Sequence, residues 1–314
     1  MQGRDPAAAS SHHERRKGEG MGRLSTKESQ ASAYAPSTFV TLTRIPVGAL
    51  GIMRTMRSCG SYRESHLDPA KVASYERDLW DTRAAKGLEW MLERRLIDEL
   101  LRDRPHPQRA IDFACGTGRV LGFLAQRVPE VIGVDVSAPM IEAAREHCPT
   151  ARLVLGDVTV NPELLTESAD VVTAFRFLLN AEPPLRAAAL DWMRDRLGPE
   201  GLLIVNFHLN PRSLRGRYLR LRRSPGVVMA GVGEARALLA RHGLTVRQVR
   251  GYSYLPYRRD GFRLVLPRVR RIVEGSLARV DRLTEWGSCF LLLAERSRDK
   301  ASNGPAGEGR EKRE

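Results

Sequence analysis

Cysteine is scarce in this chain, with four residues in 314, and none forms a Cys-x-x-Cys pair. Cys59, Cys115, Cys148 and Cys289 are scattered, which argues against a zinc site or a disulfide framework and fits a reducing cytoplasm. No apolar run approaches the ~18 residues that a membrane-spanning helix needs. Internal repeats are absent, and no Ser-His-Asp order or cluster of metal-ligating residues competes for a catalytic reading. His12 and His13 are a lone pair and make no metal site. Lysine is rare beside arginine. The formal net charge of +14 invites a nucleic-acid partner, but abundant arginine, alanine and glycine are also what a GC-rich genome produces. Hydrophobic content of 42% leaves room for one large core with tails.

Residues 1–66 lack sustained periodicity and are rich in Ser, Ala, Gly and charge, so they are expected to be a disordered extension. Thr38–Met53 is more apolar but is interrupted by Arg44 and Pro46, and makes a poor signal peptide. An over-extended gene start is an equal alternative, with translation beginning at Met21, Met53 or Met56. The ordered domain is expected over 67–297, with insertions at 211–231 and 258–284, followed by a polar tail over 298–314.

The rest of the chain is organised around Ala110–Val120. Ile111 and Phe113 suit a strand buried between helices, and Gly116 and Gly118 permit a tight turn. Val120, Leu121, Phe123, Leu124 and Val128 then recur at helical spacing. A strand, a glycine turn and a helix N-terminus form a nucleotide cradle in an open α/β sheet. The dinucleotide fingerprint wants a third glycine where Leu121 stands, so a nicotinamide dinucleotide is disfavoured. Val131–Asp135 is a second apolar strand ending in an acid. Asp112 and Asp135 stand at the ~20-residue spacing at which an acid meets a ribose hydroxyl. Leu153–Asp157 and Asp170–Phe175 continue the βα alternation.

The string Asp112-Phe-Ala-Cys-Gly-Thr-Gly118 resembles motif I of the class I S-adenosylmethionine-dependent methyltransferases, with Ala114 where many members carry glycine. The segment from Tyr75 to His208 is similar to the general small-molecule methyltransferase domain family. The resemblance implies a seven-stranded, doubly wound, mostly parallel sheet with an antiparallel last strand. It implies S-adenosylmethionine as cofactor and no metal.

Candidate cofactor residues follow on those terms. Gly116 and Gly118 meet the methionine part, and Asp112 orients the turn. Asp135 accepts from the ribose hydroxyls, and Val136 packs on the adenine. Asp157 and the backbone of Val158 reach the adenine edge. Ala114 and Phe175 end strands one and four. Tyr75 would lid the methionine end, the alternative being simple packing with Trp80. A helix cap is the alternative for Asp135, and a turn acid for Asp157.

Acceptors in this family usually meet the cofactor after strand four. Arg176 and Asn180 are polar residues there in an apolar stretch. His208, at the end of strand five, is the best-placed titratable base. Helix capping for Asn180 and a core or loop position for His208 remain open. The expected reaction is methyl transfer to an oxygen or nitrogen of a small-molecule or glycan acceptor.

Arg212, Arg215, Arg217, Arg220, Arg222 and Arg223 fall together with no acid among them. They fit an anionic acceptor, an RNA substrate gripped by its phosphates, or a solvated helix face. A non-catalytic, cofactor-binding scaffold is the further alternative.

Overall fold

In a computed structural model the described residues are 62–63, 85–102, 106–224, 227–255 and 267–297. The other parts of the expected N-terminal extension and the tail over 298–314 lie outside them. The elements in chain order are α1 (Ala85–Arg102), β1 (Arg109–Phe113), α2 (Arg119–Leu124), β2 (Glu130–Asp135), α3 (Ala138–His147), β3 (Arg152–Leu155) and β4 (Ala169–Ala174). Then come α4 (Pro183–Arg196), β5 (Leu197–Phe207), α5 (Leu214–Leu221), α6 (Val232–Arg241), β6 (Leu244–Tyr252), α7 (Pro267–Leu277) and β7 (Cys289–Arg296).

The seven strands form one sheet in the order β3-β2-β1-β4-β5-β7-β6. β1 to β5 pair in parallel, while β7 lies antiparallel between β5 and β6. This is the mostly parallel sheet with an antiparallel last strand that the sequence implies. β1 is flanked by β2 and β4, so the strand order reverses there and opens a crevice at the carboxyl ends of both strands.

Side chains alternate between two core layers, as the twofold period of a strand requires. Ile111, Phe113, Ile132 and Val134 join Leu190 and Trp192 of α4 and Leu239 of α6 on one face. Ala110, Val131, Val171 and Ile204 join Leu92, Leu96 and Ile97 of α1 and Phe123 of α2 on the other. With both faces covered, the central strands are buried along nearly their whole length, which accounts for their continuous apolar runs.

β5 begins at Leu197, which pairs with Ala169 before the register slips at a bulge. β6 ends at Tyr252. A 3-10 turn, Asp281–Trp286, follows α7, which stops at Leu277. Within α7 the polar side faces inward. Glu274 accepts from the backbone N–H groups of Tyr254 and Leu255 at 2.8 and 2.9 Å, and Arg270 donates to the Leu255 carbonyl at 2.7 Å. These backbone groups lie past the end of β6, and the helix supplies their partners. Val269, Ile272 and Val273 are left outside.

Candidate active site

The turn after β1 is built by backbone geometry. Ala114, Gly116 and Gly118 have φ of 54°, 55° and 82°, all in the left-handed region. Glycine adopts that region freely and alanine does so at a cost, which is the physical sense of the glycine that the motif usually carries at the Ala114 position. A Cβ on Gly118 would lie 3.2 Å from Ala144, so this glycine lets α3 approach the start of α2. Leu121, which replaces the third glycine of the dinucleotide pattern, also finds room through a glycine. A Cβ on Gly133 of β2 would stand 2.7 Å from the Leu121 side chain.

Asp135 closes the cradle. One carboxylate oxygen accepts from Gly116 N–H and the other from Ser137 N–H, both at 2.9 Å. Asp135 therefore fixes the glycine turn, while the cap of α3 falls to Ser137, whose hydroxyl accepts from Met140 N–H at 3.4 Å. Asp157 follows β3. Its Oδ1 accepts from the hydroxyl of Thr159 at 2.5 Å, and its Oδ2 pairs with Arg63 Nε at 2.5 Å. Burial opposes its ionisation, but the bonds from Thr159 and Arg63 outweigh burial and hold the carboxyl below its ordinary range.

These groups surround a cavity at the carboxyl ends of β1 to β5. Its wall includes Ala114, Gly116, Asp135, Val136, Asp157, Val158, Phe175, Arg176, Asn180 and His208. Ten of the residues singled out by sequence thus come together. Gly118 and Asp112 are not on the wall. Asp112 is buried beneath it and accepts from the Thr173 hydroxyl at 2.6 Å, and burial raises its pKa to about 7. Tyr75 lies outside the described residues.

Two wall residues, Tyr62 and Arg63, fall in the stretch expected to be a tail. Tyr62 packs edge-on against Phe177, with ring centroids 5.4 Å apart, and its N–H donates to Glu182. An aperiodic sequence gave no signal for them.

The far side of the cavity rests on a buried charge network. Arg176 has φ 57°, its N–H donates to Asn206 Oδ1 at 2.5 Å, and its carbonyl accepts from the Asn180 amide. Asn180 thus serves the turn after β4 rather than the start of α4. The Arg176 guanidinium donates to Glu89 at 2.7 Å and lies 3.8 Å from Glu93. Glu93, fully buried on α1, accepts from Tyr252 O–H at 2.6 Å and from Asn206 Nδ2 at 3.0 Å. Arg119 approaches Glu93 at 3.6 Å and lies over the Trp90 ring.

His208 lines the cavity beside this network, and its Nδ1 is buried without a hydrogen-bond partner. Burial, then the positive charge of Arg176, lowers its pKa to about 4, so the ring is neutral near pH 7. Sequence reading missed Glu89 and Glu93. The available signal was their i, i+4 spacing in line with buried Ile97 and Leu100 on α1, since acids on a buried face require partners.

The six arginines from Arg212 to Arg223 are all exposed, and none is on the cavity wall. Among the described residues no group of three or more His, Cys, Asp or Glu is placed to hold a metal, and no helix is long and apolar enough to cross a membrane. Cys115, Cys148 and Cys289 are free thiols.

Comparison with known proteins gives a consistent picture. Residues 110–201 match a family model described as a methyltransferase domain. The chain is similar to trans-aconitate 2-methyltransferase of Methylobacterium radiotolerans, 30% identical over 152 residues, covering 48% of this chain and 56% of that protein. It is also similar to ubiquinone biosynthesis O-methyltransferase of Methylococcus capsulatus, 29% identical over 118 residues, covering 36% and 48% of the two chains. The chain spans about half the length of the curated relatives it matches. Among solved structures, magnesium protoporphyrin IX methyltransferase of Synechocystis with bound SAH shares the fold, with a TM-score of 0.53 at 17% identity over 75% of this chain and 97% of that one.

Proposed function

We propose that this chain, whose residues 110–201 match a methyltransferase-domain model, is a class I, Rossmann-like methyltransferase that binds S-adenosylmethionine and methylates an oxygen or nitrogen of a small-molecule or glycan acceptor. The observation that carries this reading is the convergence of Gly116, Asp135 and Asp157 on one cavity at the switch point of the sheet. The residues fit the cofactor. Gly116 presents no Cβ, and one at that position would meet no atom within 4 Å, so the open space is reserved for something other than protein. Asp135 would take the ribose hydroxyls and Asp157 the adenine amino group. Val136, Met140 and Val158 supply apolar surface for the ring.

When bound, the sulfonium supplies an electrophilic methyl group. The protein's part is then to hold the acceptor in line and to keep water away, and positioning alone can account for much of the acceleration. Phe113, Phe175, Phe177 and Leu185 give the acceptor side an apolar lining. Arg176 is already compensated by Glu89 and Glu93, and His208 is neutral. A wall so balanced favours an acceptor whose reacting group is uncharged. An anionic acceptor would find its cations outside the cavity, on the Arg212–Arg223 segment. A neutral His208 can accept a proton from a hydroxyl acceptor through Nδ1, though a pKa near 4 makes it a weak base.

Two measurements test the proposal. Calorimetry should show binding of S-adenosylmethionine and S-adenosylhomocysteine and none of NAD. Binding of NAD with no response to either adenosyl compound would overturn it. Labelled methyl from S-adenosylmethionine, offered with fractionated cell extract, should enter small molecules or glycans. Label entering RNA instead would favour an RNA substrate. Cofactor binding with label in no fraction would favour a non-catalytic scaffold.

A further inference from the structure

Two helices in the C-terminal third carry their apolar stripes on the outside. In α5, Leu214, Tyr218 and Leu221 recur at i, i+4 and i+7, and all three are exposed, Leu214 at 61% and Leu221 at 84%. On its inner side Gly216 packs against the backbone of Asn210 and Pro211, and Leu219 alone of the apolar side chains reaches the core. In α7, Ile272 is 69% exposed with Val269 and Val273 beside it, while the polar residues Arg270 and Glu274 face inward. Surface helices of globular domains normally do the reverse.

The 3-10 turn that follows α7 connects the two helices. Trp286, exposed in the 3-10 turn that follows α7, lies beneath the guanidinium of Arg217 of α5, 4.9 Å from its ring centroid. Arg212, just before α5, pairs with Glu285 of the same turn. Isolated exposed apolar residues need no explanation, but a stripe on each of two helices joined through a tryptophan marks a contact surface.

Its charge identifies the partner. The segment Arg212–Arg223 holds six exposed arginines and no acid. The acids at the adjoining turn, Asp281 and Glu285, are each paired with an arginine, Arg250 and Arg212. We propose that α5, the 281–286 turn and α7 form a docking surface for the face of an anionic lipid bilayer, with Leu214, Leu221, Ile272 and Trp286 entering the headgroup boundary and the arginines meeting lipid phosphates. A helix with an outward apolar face flanked by cations is the form that lies in a membrane interface. A nucleic-acid surface would need the arginines but not the aliphatic stripes. A second copy of the chain would set one arginine cluster against another across a twofold axis, at an electrostatic cost. The surface adjoins the site: Arg215 of α5 lies 3.8 Å from Glu89, which bonds Arg176 in the cavity wall. The inference stands whether or not the proposed reaction is right.

The test is co-sedimentation of the full chain with vesicles of phosphatidylcholine alone and of phosphatidylcholine with phosphatidylglycerol. Binding to the anionic vesicles only is expected, weakening with added salt. Arg220→Glu with Arg222→Glu, and separately Leu221→Asp with Ile272→Asp, should each lower the bound fraction more than about tenfold, since each basic residue near an anionic leaflet is worth roughly 1 kcal/mol. Circular dichroism of each variant confirms that it is folded. A second reading needs no destabilising change: the emission difference between the native chain and Trp286→Phe should shift to the blue on adding anionic vesicles. Absence of binding to anionic vesicles overturns the proposal. So does binding lost in the arginine pair but unchanged in Leu221→Asp with Ile272→Asp, which would be bare anion adhesion. Retention of RNA without retention on vesicles overturns it in favour of nucleic acid. A dimer in light scattering that Leu221→Asp dissolves overturns it in favour of self-association.

Discussion

The two sides of the cavity are made by different means. The side proposed for the cofactor comes from one continuous stretch, Ala114 to Val158, and is shaped by the backbone: left-handed turns, two N–H groups on Asp135 and a glycine facing open space. The acceptor side gathers α1, the start of α2, the turn after β4, the end of β5 and β6 around buried charges. Tyr252 and Glu93, which share a 2.6 Å bond there, are 159 residues apart. The first side is set by backbone conformation. The second is a low-dielectric network in which every member depends on the others. Removing one group should therefore have different consequences on the two sides.

The largest effect is expected at Glu93. Glu93→Ala leaves Arg119 without a buried counter-charge and Tyr252 O–H without its acceptor, while Arg176 keeps only Glu89. Loss of one partner of a buried pair costs about 3–5 kcal/mol, so denaturant unfolding should show a stability loss of that order. A loss under about 1 kcal/mol would mean that the network is solvated.

His208 on the same side should give a pH signature. In the unfolded chain it takes up a proton near 6.5, whereas in the folded protein it does so only near 4. Its contribution to stability is thus full above 6.5 and is lost as pH falls through the window between the two values. Asp112, raised from 3.8 to about 7, works oppositely: the folded state holds its proton longer, and stability falls as pH rises through that interval. The His208 part is isolated by comparing urea unfolding at pH 7.5 and pH 5 for the native chain and His208→Gln. The variant is expected to lose less stability on acidification, and equal losses would place His208 in water.

On the cofactor side the expected effect is on binding before folding. Asp135→Ala should weaken S-adenosylhomocysteine binding by about 1.5–3 kcal/mol, the scale of hydrogen bonds to a charged group, as read by calorimetry. Part of the loss comes from the Gly116 turn, which would no longer be held by the carboxylate. Gly118→Ala separates shape from contact. It is off the cavity wall, but at φ 82° an alanine is strained by about 1–2 kcal/mol, so melting temperature should fall while the affinity of the folded fraction changes little. Affinity lost without a change in melting would put Gly118 in contact with the ligand.

How much of this could be read from sequence follows the same division. The cradle was legible because its determinants are local: a buried run, two glycines and an acid at fixed spacing specify strand and turn together. The mostly parallel sheet with an antiparallel last strand followed from the βα alternation and the resemblance. The acceptor side was only half legible. Arg176 and Asn180 stood out as polar residues in an apolar stretch and His208 as a titratable base, but Glu89 and Glu93, which pair with Arg176, and Tyr252, which bonds Glu93, lie on α1 and β6, and no spacing rule joins them. The helical spacing of apolar and polar residues in α7 does not by itself say which side faces in. Polar partners for the backbone at Tyr254 and Leu255 decided that.

The smallest expected effect is at Arg63, where the aperiodic N-terminal region, among the described residues, touches the site. Arg63 bonds Asp157 and Thr159, but its side chain is 38% exposed, and surface ion pairs are worth about 0–1 kcal/mol. Arg63→Ala should weaken S-adenosylhomocysteine binding by no more than that. Asp157 keeps its bonds from Thr159, so its carboxylate should still be charged and in place. Truncation sharpens the point. A chain starting at residue 61 should match the full chain in affinity and melting temperature. One starting at residue 67 should lose what Arg63→Ala loses, plus the packing of Tyr62 on Phe177. If the two truncations behave alike, the cofactor side is complete without Tyr62 and Arg63, and it is built from the stretch after β1 alone. If the chain from 61 is already impaired, residues before it belong to the fold, and the expectation of a dispensable extension fails.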